Sequence, residues 1–361
     1  MSAKILFDTQ HLYYLPQYLP VAEALSRQGA KCQFVLYPEA ELDAVKEQAL
    51  TAEGFSFVYL EGKTHALEFY ARCNADWVIF GNVPAFDASD KHRIAARLAL
   101  MQHGIGPKSC YYDVSEFPFD VRFVEGQERL KRLSERFSDR SFVDTGYAKL
   151  DPIFRGDAPL LPLSSLGLSE QKQTILYAPT FFPSSIEHFP LHWPEQLQDY
   201  NLIVKPHFFS LTKSKYAAQR ERFSAWQQYG NVYLAGIEDY NLVPFMQISD
   251  IMLSDASSAI FEFAAMDKPV VWCDFYRTRW SYSGLLKFRL KQRLDPDIEL
   301  FHTLTRRAAS AKQVKPAIIK CLSNPHDKQA ERADLTKSMV GTTDGLCSSR
   351  IARYLADHVR S

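Results

Sequence analysis

Three short stretches hold the side chains best suited to chemistry. In Met101-Gln102-His103-Gly104-Ile105-Gly106-Pro107-Lys108, one imidazole stands between an apolar run and a glycine-rich loop. A neutral imidazole accepts a proton from a hydroxyl near neutral pH, and Gly104 beside it allows a ligand to approach closely. Lys205-Pro206-His207 follows the apolar run Asn201-Leu202-Ile203-Val204, which sets an ammonium and an imidazole where a strand would end. Both can meet phosphate oxygens, Lys205 as a point charge and His207 as a donor when protonated. Asp255-Ala256-Ser257-Ser258 lies between the strand-like Ile251-Met252-Leu253 and the helical pattern of Ile260, Phe261, Phe263 and Ala264. Ser257, Ser258 and the amides that follow, beginning with Ala259, would open a helix whose N–H groups and dipole suit a diphosphate, with Asp255 shaping the corner.

Each stretch also has a structural reading. A histidine at a loop can simply be hydrogen-bonded, Lys205 can extend to solvent, and Asp255 can cap a helix. Thr180, in Tyr177-Ala178-Pro179-Thr180, can hydrogen-bond a phosphate or merely close a turn. Glu238-Asp239 can accept from ribose hydroxyls or serve as helix-start carboxylates. From Arg277 to Arg293 the chain carries six basic residues and no acid, interleaved with Trp280, Tyr282 and Phe288. That pattern suits either an anionic membrane surface or a helix with its arginines in water.

The elements that must position these groups alternate along the chain. Strand-like KILFDT, KCQFVLY, FSFVYL, DWVIFGN and the LALMQHG segment, then VRFVEG and SFVDTG, are separated by helical patterns, the first of them from Val21 to Arg27. A second series runs through TILYAP, NLIVKPH, NVYLAG, DIMLSD and PVVWCDF. This rhythm predicts βαβ units around parallel sheets. The fold class expected is α/β, with two doubly wound Rossmann-like domains facing across a cleft. The first spans 1–150, the second 151–345, and a last helix in 346–361 packs back across the join.

Composition narrows the partners. The 361 residues exceed one ordinary core, and 42 basic residues balance 42 acidic ones, so no global field points to nucleic acid. Six scattered cysteines without a C-x-x-C read as reduced thiols. No signal-like or membrane-spanning stretch stands out, which predicts a cytoplasmic protein, peripheral on the inner face of the membrane if 277–293 binds it. The P-loop, G-x-G-x-x-G, H-E-x-x-H and G-x-S-x-G patterns are missing. No carboxylate cluster has ligand spacing, so no metal site is assigned and a need for a divalent metal stays open.

Taken in order, QHG at 102–104, TGYAKLDPIF at 145–154, ILYAPTFF at 175–182, VKPH at 204–207, ISDIMLSDASSAIFEFAAMDKPVVW at 248–272 and DGLCSSRIARYL at 344–355 resemble the CDP-glycerol glycerophosphotransferase family. The resemblance implies GT-B architecture and transfer of glycerol phosphate from CDP-glycerol to a hydroxyl of a glycan or lipid-linked glycan, with release of CMP. It implies that His103 is the general base and that His207 meets the donor diphosphate. Two departures stand out. Ala256 occupies a place where the family usually has Tyr, and Lys205-Pro206-His207 is followed by Phe208-Phe209 instead of Arg. CDP-ribitol as donor, a UDP- or GDP-sugar transferase of the same fold and a catalytically silent nucleotide-binding subunit are the alternatives.

Overall fold

The computed structural model of the protein describes residues 2–105, 110–276 and 299–359. These form two compact units. One is built from Met1–Ile105, Cys110–Asp157 and Lys337–Ser361, and the other from Ala158–Thr336, each in its described residues.

The first unit holds a seven-stranded parallel sheet of β1 (Lys4–Thr9), β2 (Lys31–Leu36), β3 (Ser56–Tyr59), β4 (Trp77–Phe80), β5 (Arg97–Met101), β6 (Val121–Val124) and β7 (Phe142–Asp144), in the order β3-β2-β1-β4-β5-β6-β7. The second unit holds β8 (Thr174–Tyr177), β9 (Asn201–Val204), β10 (Val232–Leu234), β11 (Ile251–Ser254), β12 (Val270–Cys273) and β13 (Arg306–Ala308), in the order β10-β9-β8-β11-β12-β13. Both sheets therefore start in the middle, wind out one way, and restart beside the first strand. That reversal opens a crevice at the carboxyl ends of the two strands flanking it, where ligands of open α/β sheets bind. β4, β8, β11 and β12 are buried along their whole length, which explains why they read as unbroken apolar runs.

One helix exceeds its sequence expectation. Leu15–Arg27 begins six residues before Val21, despite Pro16 and Pro20. Pro16 sits in the first turn, where its missing N–H has no intrahelical partner to lose, and Leu15 through Ala22 are all buried, so packing outweighs the break expected at Pro20. The helix Cys347–Asp357 packs on this same helix, and Trp77 Nε1 donates to Leu355 O at 3.1 Å. The described thiols of Cys32, Cys73, Cys273, Cys321 and Cys347 are unlinked.

Glycine matters where the segment leading to that last helix crosses the ends of β6 and β7. Gly126 has φ +78°, and a Cβ there would lie 2.2 Å from Ser338 O. Gly126→Ala combines left-handed strain with a backbone clash, so a loss of about 2–4 kcal/mol in unfolding free energy is expected in urea titration. An unchanged urea midpoint would contradict this close approach.

Candidate active site

In the first unit the sheet reverses between β1 and β4, and β5 lies next to β4. His103, two residues beyond β5, turns its Nδ1 to Gly81 O at 3.0 Å, just past the end of β4. A carbonyl can only accept, so Nδ1 carries a hydrogen, and in the neutral ring the lone pair is on Nε2. The ring stacks on Tyr14 with centroids 5.0 Å apart, and Tyr13 meets it edge-on at 4.7 Å. Gly81 is required for this stack, since a Cβ there would lie 2.8 Å from the Tyr14 ring. Tyr147 donates its hydroxyl to His103 O at 3.0 Å, and Gly104 is buried behind it.

The same sheet edge carries residues the sequence did not single out. His11, beyond β1, places Nδ1 2.6 Å from Glu39 Oε1, while Leu12 N donates to Glu39 Oε2 at 3.1 Å. Burial works to raise the Glu39 carboxyl, but the hydrogen bond and charge of His11, with Lys46 nearby, outweigh it and hold the group below its usual range. The His11 ring stacks on Tyr13, which in turn meets His103. Asp8, at the end of β1, is fully buried and accepts from Tyr37 and Tyr70 hydroxyls at 2.7 Å each; burial raises its carboxyl. Only the position of KILFDTQH at a strand exit signals any of this, because Glu39 and Tyr70 are distant in the chain.

In the second unit the reversal falls between β8 and β11. The residues just past these two strands are tied together by Asp255, which is fully buried. Its Oδ1 accepts from Thr180 N at 2.7 Å, and its Oδ2 from Ser185 N at 2.9 Å, Ser185 Oγ at 3.0 Å and Ser184 Oγ at 3.3 Å. Burial pushes the carboxyl up to about 7, against the opposing pull of the Ser185 and Thr180 amides and the two hydroxyls. The turn then closes on itself, Ser257 N donating to Asp255 O at 2.8 Å and Ala259 N to Ser257 Oγ at 3.3 Å. Ser258 precedes a helix, Ala259–Ala264, of only six residues. Ala256 is buried.

His207 lies beyond β9, the neighbour of β8, and caps the helix Phe208–Thr212, its Nδ1 accepting from Phe209 N at 3.1 Å. An imidazole nitrogen that accepts carries no hydrogen, so the hydrogen of neutral His207 is on Nε2. Phe208 stacks on the ring at 4.6 Å and Phe181 leans on it at 4.7 Å. Lys205 is half-buried, and its amide donates to Tyr177 O at 2.8 Å. The strands are parallel, so Thr180, Lys205, His207, Asp255, Ser257 and Ser258 all leave the sheet at one edge. Asp239, past β10, closes a turn by accepting from Gly236 N and Tyr233 OH at 2.9 Å each, and Glu238 beside it is exposed. The basic and aromatic segment 277–293 lies outside the described residues. Among the described residues no three His, Cys, Asp or Glu side chains converge as a metal site.

Two of the sequence motifs turn out to hold the first unit together. Asp151, from TGYAKLDPIF, accepts from Cys347 N at 3.2 Å, Ser348 N at 2.6 Å and Ser348 Oγ at 2.5 Å, and so caps the last helix. Arg350, from DGLCSSRIARYL, returns the contact by donating through Nε and Nη2 to Thr145 O at 3.0 and 2.8 Å.

Residues 133–357, well over half of the chain, match the family described as CDP-Glycerol:Poly(glycerophosphate) glycerophosphotransferase. The chain belongs to this family. Among curated glycerophosphotransferase relatives, a teichoic acid glycerol-phosphate primase of Bacillus spizizenii is 32% identical over 161 residues, 42% of this chain and 39% of the relative. The corresponding primase of Bacillus subtilis is 25% identical over 162 residues, 43% of this chain and 39% of the relative. The chain thus spans about two-fifths of the length of the curated relatives it matches. Among solved structures, a wall teichoic acid polymerase superposes with a TM-score of 0.66 at 13% identity, covering 98% of this chain and 88% of that one. A putative UDP-N-acetylglucosamine 2-epimerase from Listeria monocytogenes matches equally well, with a TM-score of 0.66 at 14% identity and coverage of 99% and 97%. These likenesses establish the fold class of the chain as GT-B, with two doubly wound sheets.

Proposed function

We propose that the protein transfers glycerol phosphate from CDP-glycerol to a hydroxyl of a cell-surface glycan or its lipid-linked precursor and releases CMP. The observation that carries this reading is the pair of opposed tautomers. His103 gives its Nδ1–H to a carbonyl and keeps a lone pair on Nε2, whereas neutral His207 uses its Nδ1 lone pair and keeps Nε2–H. One imidazole is set to accept a proton and the other to donate a hydrogen bond, which are the two tasks of such a transfer. Membership of the glycerophosphotransferase family and a solved structure of the wall teichoic acid polymerase after a soak with CDPG, with a TM-score of 0.64 at 12% identity and coverage of 99% of this chain and 88% of that one, point to the same donor.

In this scheme Nε2 of His103 takes the proton as the acceptor oxygen attacks the phosphorus that bears glycerol. The bond from that phosphorus to the bridging oxygen breaks, and CMP leaves with the electron pair. His207 Nε2–H and the Lys205 ammonium offset the charge on the diphosphate, and the Ser257 and Ser258 turn, fixed by Asp255, holds its other oxygens. Thr180 lines the same corner, while Glu238 and Asp239 lie toward the ribose. The transfer mostly requires positioning and charge stabilisation, which this set of groups provides. Among the described residues no helix is long and apolar enough to cross a membrane. We place the reaction on the cytoplasmic face, with the basic segment 277–293 as the contact to anionic lipid.

The test is to incubate the purified protein with CDP-glycerol and a lipid-linked glycan fraction and to measure CMP. CMP that appears only with acceptor present is the expected result; release of UDP or GDP from a sugar nucleotide instead would overturn the donor assignment. In His207→Ala the donor Kd is expected to rise about tenfold, corresponding to one charge-assisted hydrogen bond. An unchanged Kd in calorimetry would remove His207 from the donor site.

A further inference from the structure

A second polar site lies at the opposite edge of the first sheet, where β6 and β7 begin. Arg122, the second residue of β6, is 2% exposed. Its Nη1 donates to Ser115 Oγ at 2.5 Å, but Nε and Nη2 are buried without a protein partner. They border a cavity lined by Ser115, Arg122, Arg140, Ser141 and three phenylalanines, with about 10 Å³ of room for the centre of a water-sized sphere. Arg140 brings a second buried nitrogen, its Nε, which makes no hydrogen bond and whose nearest counter-charge is the exposed Asp139, 3.6 Å away.

Charge decides what such a cavity can hold. The buried carboxylate nearest in the chain, Glu125, is ion-paired with Arg129 at 2.6 Å, and both of those residues are buried as well. Two buried guanidiniums thus share one buried carboxylate, and a guanidinium without a counter-charge is costly in the interior. Burial lowers the Arg122 pKa to about 9, so the group is still charged at neutral pH. The lining is rich in donors. Ser115 Oγ, having accepted from Arg122, has its proton to give, and Ser141 O already accepts from Arg122 N at 2.9 Å. A water molecule would bring two hydrogens that need acceptors, whereas an anion meets the two arginines and the positive edges of the phenyl rings.

We infer that Arg122 and Arg140, with the hydroxyls of Ser115 and Ser141, bind a small monovalent anion of the size of chloride. The room is small and three phenyl rings line it, which suits a compact monovalent anion. The ion fastens the turn Val114–Glu116 to the starts of β6 and β7, at the sheet edge away from His103, and the inference is independent of the transfer reaction proposed above.

Thermal unfolding of the intact protein in sodium chloride and in sodium gluconate at equal ionic strength tests this. Chloride is expected to raise Tm by about 2–5 °C for each tenfold increase above half-saturation, and gluconate to leave it unchanged. Arg140→Gln, at the partly exposed rim, is expected to fold normally and to shift the chloride midpoint at least tenfold upward. A crystal soaked in bromide is expected to show an anomalous peak between Arg122 and Arg140. Identical unfolding in both salts, or a bromide map without that peak, would mean that water fills the cavity and would overturn the assignment.

Discussion

His103→Gln is expected to slow CMP release from CDP-glycerol by about 10²–10⁴-fold while leaving the donor Kd within about twofold, because the side-chain amide can still donate to Gly81 O but offers no basic nitrogen. The structural basis is the hydrogen bond from Nδ1, which fixes where the lone pair lies, and the Tyr14 stack, which fixes the plane of the ring. A lost general base also changes the pH profile. The acid limb of kcat in the native protein should disappear in the variant, since no imidazole remains to be protonated at that position. A variant that kept both its turnover and its acid limb would show that another group takes the proton, and His11, held by Glu39 on the same edge, would be the next residue to replace.

Asp255→Ala is expected to lower the unfolding free energy by about 3–5 kcal/mol and to abolish measurable donor binding. Four donors converge on this carboxylate, two of them backbone amides that cannot turn elsewhere, and each buried donor left without an acceptor costs about 1–3 kcal/mol. Asp255→Asn separates packing from charge. The carboxyl titrates near 7 in the folded chain and near 3.9 when unfolded, so between those values the folded state holds more protons. Its contribution to stability is full below about pH 4 and is lost as pH rises through about 7. The amide does not titrate, so the stability advantage of the native protein over the variant should shrink between pH 5 and pH 8. Urea midpoints measured across that range check it, and a gap that stayed constant with pH would mean the carboxyl is ionised throughout.

Much of the fold could be read from the chain because both sheets are parallel and covered on both faces. Several of their strands are unbroken apolar runs such as Trp77-Val78-Ile79-Phe80, and β5, β8, β9 and β11 are followed at their carboxyl ends by the polar residues of interest. What joins those residues could not be read. Asp255 is conspicuous in the sequence, but its acceptor role depends on Thr180, Ser184 and Ser185, seventy or more positions earlier. Arg122 and Arg129 look like solvated charges in a strand and a helix, yet both are buried, and only the packing of neighbouring elements decides that. Asp151, which stands in TGYAKLDPIF at the expected domain boundary, caps a helix nearly two hundred residues later. Local pattern reports which face of an element is covered; it does not report by what.

That distant cap also sets a timetable. The helix Cys347–Asp357 completes the unit that Lys4–Thr9 begins, with the whole of the other unit lying between them in the chain. On a ribosome, at ~5–20 residues per second, the face of the helix Leu15–Arg27 that receives this last helix must wait roughly 10–40 s after Asp151 has emerged. The described part of the second unit lies within Ala158–Thr336 and is able to fold in that interval, so the unit whose strands are translated first is the one that matures last.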